Sequence, residues 1–232
     1  MQRNLVVITG AAGVLGRAVA ADFLARDAKL VLVDVDGGAL TALYPREGDG
    51  PILVATDLTD SEASGNALGK VFAEHGAAAV LCNIAGGFRA GAPVHETPAQ
   101  IWQTMQDLNV ATLVNACKAT VPGMIAAGRG KIVNVSAASA VTGRPGMGAY
   151  CAAKSAVARL TESMAAELRG KGINVNAVAP SIIDTAANRA AMPAADPAAW
   201  VSAKDLAAVI RFLASEDARA IHGAVLPVVG LS

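Results

Sequence analysis

Tyr150 and Lys154 are the residues whose types and spacing most directly suggest chemistry. They stand four residues apart in the segment YCAAK, so on a helix over residues 149–169 they would share one face, one turn apart. A free phenol has a pKa of about 10 and is a poor base at neutral pH, but a neighbouring ammonium group favours the phenolate and lowers that pKa. The pair therefore predicts a general acid/base that exchanges a proton with an alcohol or carbonyl oxygen.

A glycine-rich loop, TGAAGVLG at residues 9–16, follows the first apolar run and precedes a predicted helix. Gly10, Gly13 and Gly16 are spaced three residues apart. A phosphate needs close access to backbone N–H groups, which Cβ atoms would obstruct, and a helix N-terminus adds free donors and a partial positive charge. In this strand–turn–helix context the pattern predicts a dinucleotide site.

Asp34 ends the second apolar run and predicts which dinucleotide binds. An acid at this point can accept both hydroxyls of an adenosine ribose and would repel a 2′-phosphate. No arginine or lysine follows at residues 35–39 to hold such a phosphate. NAD is therefore predicted over NADP, and Arg17, close to the glycine loop, is the residue that argues for NADP.

These groups need a scaffold, and the sequence predicts one of alternating strands and helices. Short apolar runs predict buried strands at residues 4–9, 29–34, 51–55, 78–83, 130–135, 173–178 and 224–229. Helix-length segments lie between them at residues 14–26, 60–75, 97–127, 149–169 and 203–215. This alternation predicts an α/β fold, a Rossmann-type doubly wound parallel sheet of about seven strands flanked by helices.

Two proline-containing segments refine this expectation. Pro227 lies in the last predicted strand and cannot donate to a ladder, which places that strand at a sheet edge. Residues 181–202 are irregular and predict a flap on the substrate side. No repeat or linker divides the chain, so we expect residues 1–232 to form a single domain.

Composition narrows the partners and the compartment. Hydrophobic residues make up 53%, charged residues 16%, and the formal net charge is zero, so no nucleic-acid or anionic-membrane partner is expected. The apolar runs are shorter than a membrane span, and the N-terminus lacks the features of a signal peptide. Three scattered cysteines fit neither a disulfide framework nor a metal cluster, and they favour a cytoplasmic location and no bound metal.

Over essentially its whole length the sequence resembles the short-chain dehydrogenase/reductase family. The matching segments are TGAAGVLG at 9–16, Asp34, Asp57 in TDLTD, NIAG at 83–86, Asn109 in DLNVAT, YCAAK at 150–154 and NAVAPSIIDT at 176–185. The resemblance implies an NAD(H)-dependent oxidoreductase that transfers hydride between the nicotinamide and a small carbonyl or alcohol substrate. It also implies a homodimer or homotetramer.

The resemblance further implies roles for individual residues. Asp57 would touch the adenine, Asn83 would lie by the adenosine ribose, and Lys154 would also grip the nicotinamide ribose. Asn109 would organise a water relay to Lys154. The cofactor-binding set that it implies is Gly10, Gly13, Val14, Leu15, Gly16, Asp34, Asp57, Leu58, Asn83, Ala85, Gly86, Tyr150, Lys154, Pro180, Ile183 and Thr185, the last two near the carboxamide. The predicted catalytic set is Tyr150, Lys154, Asn109 and Ser139.

The sequence departs from the family pattern at several positions. The family's second loop glycine is Val14, its second NNAG asparagine is Ile84, and its PG glycine is Ser181. The catalytic serine that normally precedes the tyrosine by thirteen residues is Ala137. On an extended segment Ser136 points away from that side, whereas Ser139 points toward it, so either Ser139 substitutes or neither serine takes part.

Two alternative functions follow from the missing serine. The dihydropteridine reductase branch of the family does without it, and residues 85–91, 143–150 and 184–200 resemble the corresponding segments of that branch. A quinonoid dihydropterin is already electron-poor, so polarising its acceptor atom with a hydroxyl is less necessary. The other alternative is a non-catalytic NAD(H) sensor, which Ala137 favours and the intact tyrosine–lysine pair opposes.

Overall fold

A single parallel sheet organises the computed structural model, which describes residues 4–45 and 49–232. Its strands are β1 (Leu5–Thr9), β2 (Lys29–Asp34), β3 (Ile52–Ala55), β4 (Val80–Asn83), β5 (Gly130–Val135), β6 (Ile173–Pro180) and β7 (Val225–Val228). Their order is β3-β2-β1-β4-β5-β6-β7, and every pairing is parallel. The predicted fold class is confirmed, and each strand coincides with a predicted apolar run.

Helices cover both faces of this sheet. They are α1 (Val14–Leu24), α2 (Gly37–Leu43), α3 (Ser61–His75), α4 (Ala99–Gln106), α5 (Thr112–Ala127), α6 (Gly148–Leu168), α7 (Ala186–Ala191) and α8 (Ala203–Leu213). On one face α1 packs with α8, and on the other α3 packs with α5. Each face has its own cluster of buried aliphatic side chains, which explains why the strands read as continuous apolar runs.

The sheet edge lies where Pro227 predicts it. Pro227 is part of β7, which ends the strand order, and it pairs with Ala179 of β6. On its other side β7 has no neighbouring strand among the described residues. The missing N–H of proline therefore costs the sheet no ladder hydrogen bond.

Helix α2 was not predicted. It is only seven residues long and begins with two glycines, which have the poorest helix propensity after proline. The Asp36 side chain accepts a hydrogen bond from the Ala39 N–H at 2.8 Å and so caps the helix. The helix is supported by this cap and lacks the apolar periodicity that predicts longer helices.

Residues 97–127 were predicted as one helix and instead form α4 and α5 with a π-helical turn, Asp107–Ala111, between them. Such a turn inserts an extra residue and often marks a functional site. By length and mean hydropathy (1.3) Ala99–Ala127 also meets the criteria of a membrane-spanning helix, which the sequence analysis overlooked. Here it packs against α3 and α6, and a core helix can have the same composition.

Candidate active site

The carboxyl ends of β1 and β4 form the centre of the site, because the strand order reverses between these two strands and ligands of doubly wound sheets bind at such a point. The Thr9 hydroxyl at the end of β1 accepts hydrogen bonds from the N–H groups of Ile84 at 3.0 Å and Ala85 at 3.1 Å. Thr9 therefore joins the glycine loop to the loop after β4. This role of Thr9 was not predicted from the sequence, although the residue begins the glycine motif.

The glycine loop is packed too closely to accept side chains at two positions. Gly10 has φ +64°, and a Cβ there would lie 2.9 Å from the Cα of Ala85. A Cβ on Gly16 would collide with the carbonyl oxygen of Gly10. Two of the three predicted glycines are therefore required by the turn itself, which brings the start of α1 against β1.

Helix α1 leaves its N-terminal donors open. The caps of α2, α3 and α8 are the side chains of Asp36, Asp60 and Ser202. At the start of α1 the cap is Gly13, and no side chain of the described residues bonds to this end. The N–H groups of Val14, Leu15 and Gly16 lack intrahelical acceptors, so the residues present fit the phosphates of a dinucleotide.

Asp34 lies beside this loop, as the NAD prediction requires. Its carboxylate accepts the N–H of Ala12 at 2.9 Å through one oxygen and the N–H of Asp36 at 3.2 Å through the other. Each carboxylate oxygen can accept a further hydrogen bond. The acid is therefore fixed in orientation while keeping acceptor capacity for ribose hydroxyls.

Tyr44 is a neighbour of this site that sequence reasoning missed. Its hydroxyl donates to the carbonyl oxygen of Ala11 at 3.0 Å. Burial raises the pKa of Tyr44, the Arg17 guanidinium lowers it and the Asp34 carboxylate raises it. Arg17 and Asp34 therefore act on one phenol from opposite electrostatic directions, and both belong to the environment of the predicted adenosine site.

Asp57 and Leu58 form the turn after β3, next to the end of β2. The Asp57 carboxylate accepts the N–H and the hydroxyl of Thr59 at 2.8 and 2.7 Å. The carbonyl oxygen of buried Leu58 accepts a hydrogen bond from Asn115 of α5 at 2.9 Å. This turn is thus anchored to both the strand layer and a helix, and Asp57 remains exposed toward solvent.

The side chain of Asn83, predicted to lie by the adenosine ribose, is buried in the core. Its Nδ2 donates to Asn134 of β5 at 2.9 Å, and Asn134 donates in turn to Thr161 of α6 at 2.9 Å. These three residues are buried and form a polar chain through the core. The side chain therefore ties β4 to β5 and α6.

Three functional groups converge at Gly86. A Cβ on this glycine would lie 2.8 Å from Oδ1 of Asn109 and 3.2 Å from Nζ of Lys154. The π-helical turn presents Asn109, which accepts the N–H of Gly87 at 3.2 Å and donates to the Gly87 carbonyl at 3.0 Å. The amide, the ammonium group and the loop after β4 are therefore brought together, as the predicted relay requires.

Lys154 is buried and held in place by one backbone contact. Its Nζ donates to the carbonyl oxygen of Val135 at 2.9 Å. Burial lowers the pKa of Lys154 to about 8, which is still above neutral pH. The side chain therefore carries a positive charge at pH 7 in a poorly solvated position, where charge acts strongly on its neighbours.

The expected lowering of the Tyr150 pKa is not what this structure shows. Burial raises the pKa of Tyr150 to about 12, and Phe88 packs edge-on against its ring with centroids 4.9 Å apart. Desolvation of the phenolate is the largest effect, and it disfavours the charged form. In this state the tyrosine is a protonated hydroxyl at neutral pH, suited to donate a proton.

The serines occupy positions that the sequence analysis anticipated only in part. Ser136 is buried and donates to the carbonyl oxygen of Lys154 at 2.9 Å, so it stabilises β5 against α6. Ala137 is extended, but residues 138–140 form a 3-10 turn. The strand alternation that placed Ser139 on the side of Ala137 therefore does not apply. Ser139 is partly exposed, and its hydroxyl makes no hydrogen bond with any residue of the described ranges.

The predicted flap begins after Pro180, the last residue of β6. Ile183 forms a parallel bridge with Val201, and Thr185 caps α7 by accepting the N–H of Asn188 at 3.1 Å. Trp200 is buried at the far end of the segment. The flap is thus fixed at both ends, with α7 between them.

Comparison with known proteins agrees with this geometry. A protein-family model described as short chain dehydrogenase matches residues 4–196. The cis-4-hydroxycyclohexanecarboxylate dehydrogenase of Sinomonas cyclohexanicum is 35% identical over 98% of this chain and 95% of its own. A crystal structure of NAD+-bound xylitol dehydrogenase superposes with a TM-score of 0.89 at 26% identity, covering 98% of both chains. A structure of ElxO with NADP bound superposes with a TM-score of 0.91 at 28% identity, covering 99% of this chain and 98% of the other.

Proposed function

The chain belongs to the short-chain dehydrogenase family and is an oxidoreductase of alcohol or carbonyl substrates, and from this premise we propose that it uses NAD(H), with Tyr150 as general acid/base. The bound dinucleotide supplies or accepts the hydride. The convergence of Asn109, Lys154 and the backbone at Gly86 is the observation that carries the proposal. Tyr150 precedes Lys154 by one turn of the same helix, α6.

In the reductive direction the chain's own residues control the proton. Tyr150, neutral in its buried position, donates its hydroxyl proton to the developing alkoxide. The positive charge of Lys154 stabilises the phenolate that this leaves. Asn109, bound to the backbone of Gly87, orients the path by which the proton is replaced. In the oxidative direction the same charge must offset the desolvation that disfavours the phenolate.

We propose NAD over NADP because Asp34 lies at the glycine loop. The prediction is that Asp34→Ala raises the specificity constant for NADPH by about tenfold or more, since removing the carboxylate removes its repulsion of a 2′-phosphate. Arg17 is the cation that remains in this environment. The double variant Asp34→Ala/Arg17→Ser should therefore lose most of the gain. Initial rates with both dinucleotides check this, and a wild-type preference for NADPH would contradict the assignment of Asp34.

A serine-free mechanism is the second candidate, because Ala137 is buried where the family has its catalytic hydroxyl and Ser136 is bonded to the backbone. A quinonoid dihydropterin is the acceptor that such a site would suit, as in the dihydropteridine reductases. Screening NADH oxidation against small ketones and a quinonoid dihydropterin separates the two substrate classes. Binding of NADH without turnover of either class would support the sensor alternative.

Ser139→Ala tests whether a displaced serine takes part. If Ser139 polarises the substrate oxygen, we expect turnover to fall by about tenfold or more, as for loss of a transition-state hydrogen bond. If the mechanism is serine-free, the rate should stay within about twofold of wild type. Ser155→Ala is the control, because its hydroxyl bonds to the Ala140 carbonyl at 2.7 Å and so supports the same turn. A parallel loss in both variants would indicate a structural effect.

We further propose, on the family resemblance, that the chain forms a homodimer or homotetramer. From its three scattered cysteines we propose that it acts in the cytoplasm. Its substrate would be a small molecule. Residues 181–202 would close over that substrate as a flap. Sedimentation velocity and proteolysis of the flap with and without NADH would test the first and last of these proposals.

A further inference from the structure

A cavity of about 310 Å³ lies at the edge of the sheet opposite the candidate active site, where β1, β4, β5 and β6 begin. Its charged and polar lining includes Arg129, Lys131, Arg169, Arg219, Glu216 and His222. The formal net charge of the whole chain is zero. The concentration of cations in one cavity is therefore a local feature and not the result of a basic composition.

The guanidinium groups of this cavity have no acidic partners in the part of the chain that the structure describes. Arg129, Arg169 and Arg219 make no ion pair and no side-chain hydrogen bond within residues 4–45 and 49–232. Some arginines elsewhere are paired with carboxylates, as Arg159 is with Glu162 at 2.7 Å and Arg189 is with Asp184 at 2.6 Å. Unpaired arginines around a concave surface leave hydrogen-bond donors available for an anion.

Lys131 lines the cavity and is buried. Its Nζ donates to Oδ1 of Asn174 at 2.9 Å and lies 3.4 Å from the carboxylate of Glu216, which is exposed. Asn174 also donates to the carbonyl oxygens of Arg219 and Ile221, both at 2.9 Å. The backbone of the segment that carries Arg219 is thus fixed against β6.

The cations could simply offset the negative ends of nearby helices. The number of charges shows that this accounts for only some of them. Arg129 follows α5 and Arg169 follows α6, and a helix C-terminus carries about half a negative charge. Ala214, which follows α8, also lines the cavity, so three helices end here. Four cations against one carboxylate leave three positive charges, whereas three helix ends offset about one and a half. The cavity keeps an excess of about one and a half positive charges.

We propose that this cavity binds a small anion with two or more negative charges, such as a phosphate ester or a polycarboxylate. Its volume is at the lower end of the range for small-molecule sites, and planar guanidinium groups bind phosphate and carboxylate oxygens in pairs. Lys131 stands at the opposite end of β5 from Val135, whose carbonyl holds Lys154. Four residues of strand span about 13 Å, so this ligand would not compete with the substrate.

Isothermal titration of the purified protein with pyrophosphate and with citrate tests the proposal. We expect at least one of these anions to bind, and Arg129→Ser/Arg219→Ser to weaken that binding by about tenfold or more. Both arginines are exposed, so the double variant should fold normally, which circular dichroism checks. Arg219→Lys, which keeps the charge, should retain most of the affinity.

Lys70→Ser is the matched control, because Lys70 is an exposed cation on α3 away from the cavity. Its affinity should stay within about twofold of wild type. Wild-type protein that binds neither anion would overturn the proposal. So would binding that the double variant leaves unchanged, since that anion would be held elsewhere, as at the glycine loop. The phosphate and carboxylate sources are distinguished by which of the two probes binds more tightly.

Discussion

Tyr150→Phe should lower kcat by about a thousandfold while leaving the Kd for NADH within about threefold of wild type. General acid/base groups typically contribute 10²–10⁴-fold to the rate. The nearby buried hydroxyl, that of Ser136, is already bonded to the backbone. Phenylalanine keeps the ring that packs edge-on against Phe88, so the local packing should survive. Single-turnover kinetics and fluorescence titration of NADH measure the two quantities separately.

Tyr44→Phe is the matched control, because the chain has only two tyrosines and each loses one hydroxyl. The Tyr44 hydroxyl bonds to the glycine loop at Ala11, so its removal should raise the KM for NADH by about threefold, the effect of one neutral hydrogen bond, with kcat nearly unchanged. Tyr150→Phe should therefore change kcat, whereas Tyr44→Phe should change the KM for NADH. A Tyr150→Phe enzyme with wild-type kcat would remove the tyrosine from the mechanism.

The sheet and the order of its elements were predictable because they depend on patterns carried by neighbouring residues. Buried parallel strands must be apolar on both faces, and the runs at 29–34 and 130–135 match β2 and β5 residue for residue. The glycine loop was predictable for the same reason, since its spacing is local. Short elements without such a pattern, such as α2, were missed because a single capping carboxylate supports them.

The electrostatics of the site were less predictable, since they depend on neighbours distant in sequence. The four-residue spacing indicated that Lys154 would lower the pKa of Tyr150. Burial instead desolvates the phenol, and its pKa rises to about 12. The strand alternation predicted for residues 136–139 was wrong for a similar reason, because residues 138–140 form a 3-10 turn after Ala137.

Gly16→Ala should destabilise the protein and weaken NADH binding together. The added methyl group would collide with the Gly10 carbonyl, which belongs to rigid backbone and cannot turn aside. Overpacking of this kind typically costs 1–3 kcal/mol, here about 3 kcal/mol because the obstacle is backbone, and in a chain of this size it should lower Tm by about 6–12 °C. Moving the start of α1 also displaces its open N–H donors, so the affinity for NADH should fall by about tenfold or more.

Gly65→Ala shows what the same substitution does where there is space. Gly65 lies in α3, and a Cβ there meets no atom within 4 Å in the described structure. Alanine is favoured over glycine in a helix by about 1 kcal/mol, so this variant should be slightly more stable than wild type, with unchanged NADH binding. Thermal unfolding with and without NADH measures both effects. If Gly16→Ala and wild type have equal Tm and NADH affinity, the loop can relax away from α1. The close approach of β1 and α1 would then not be what holds the phosphate donors in place.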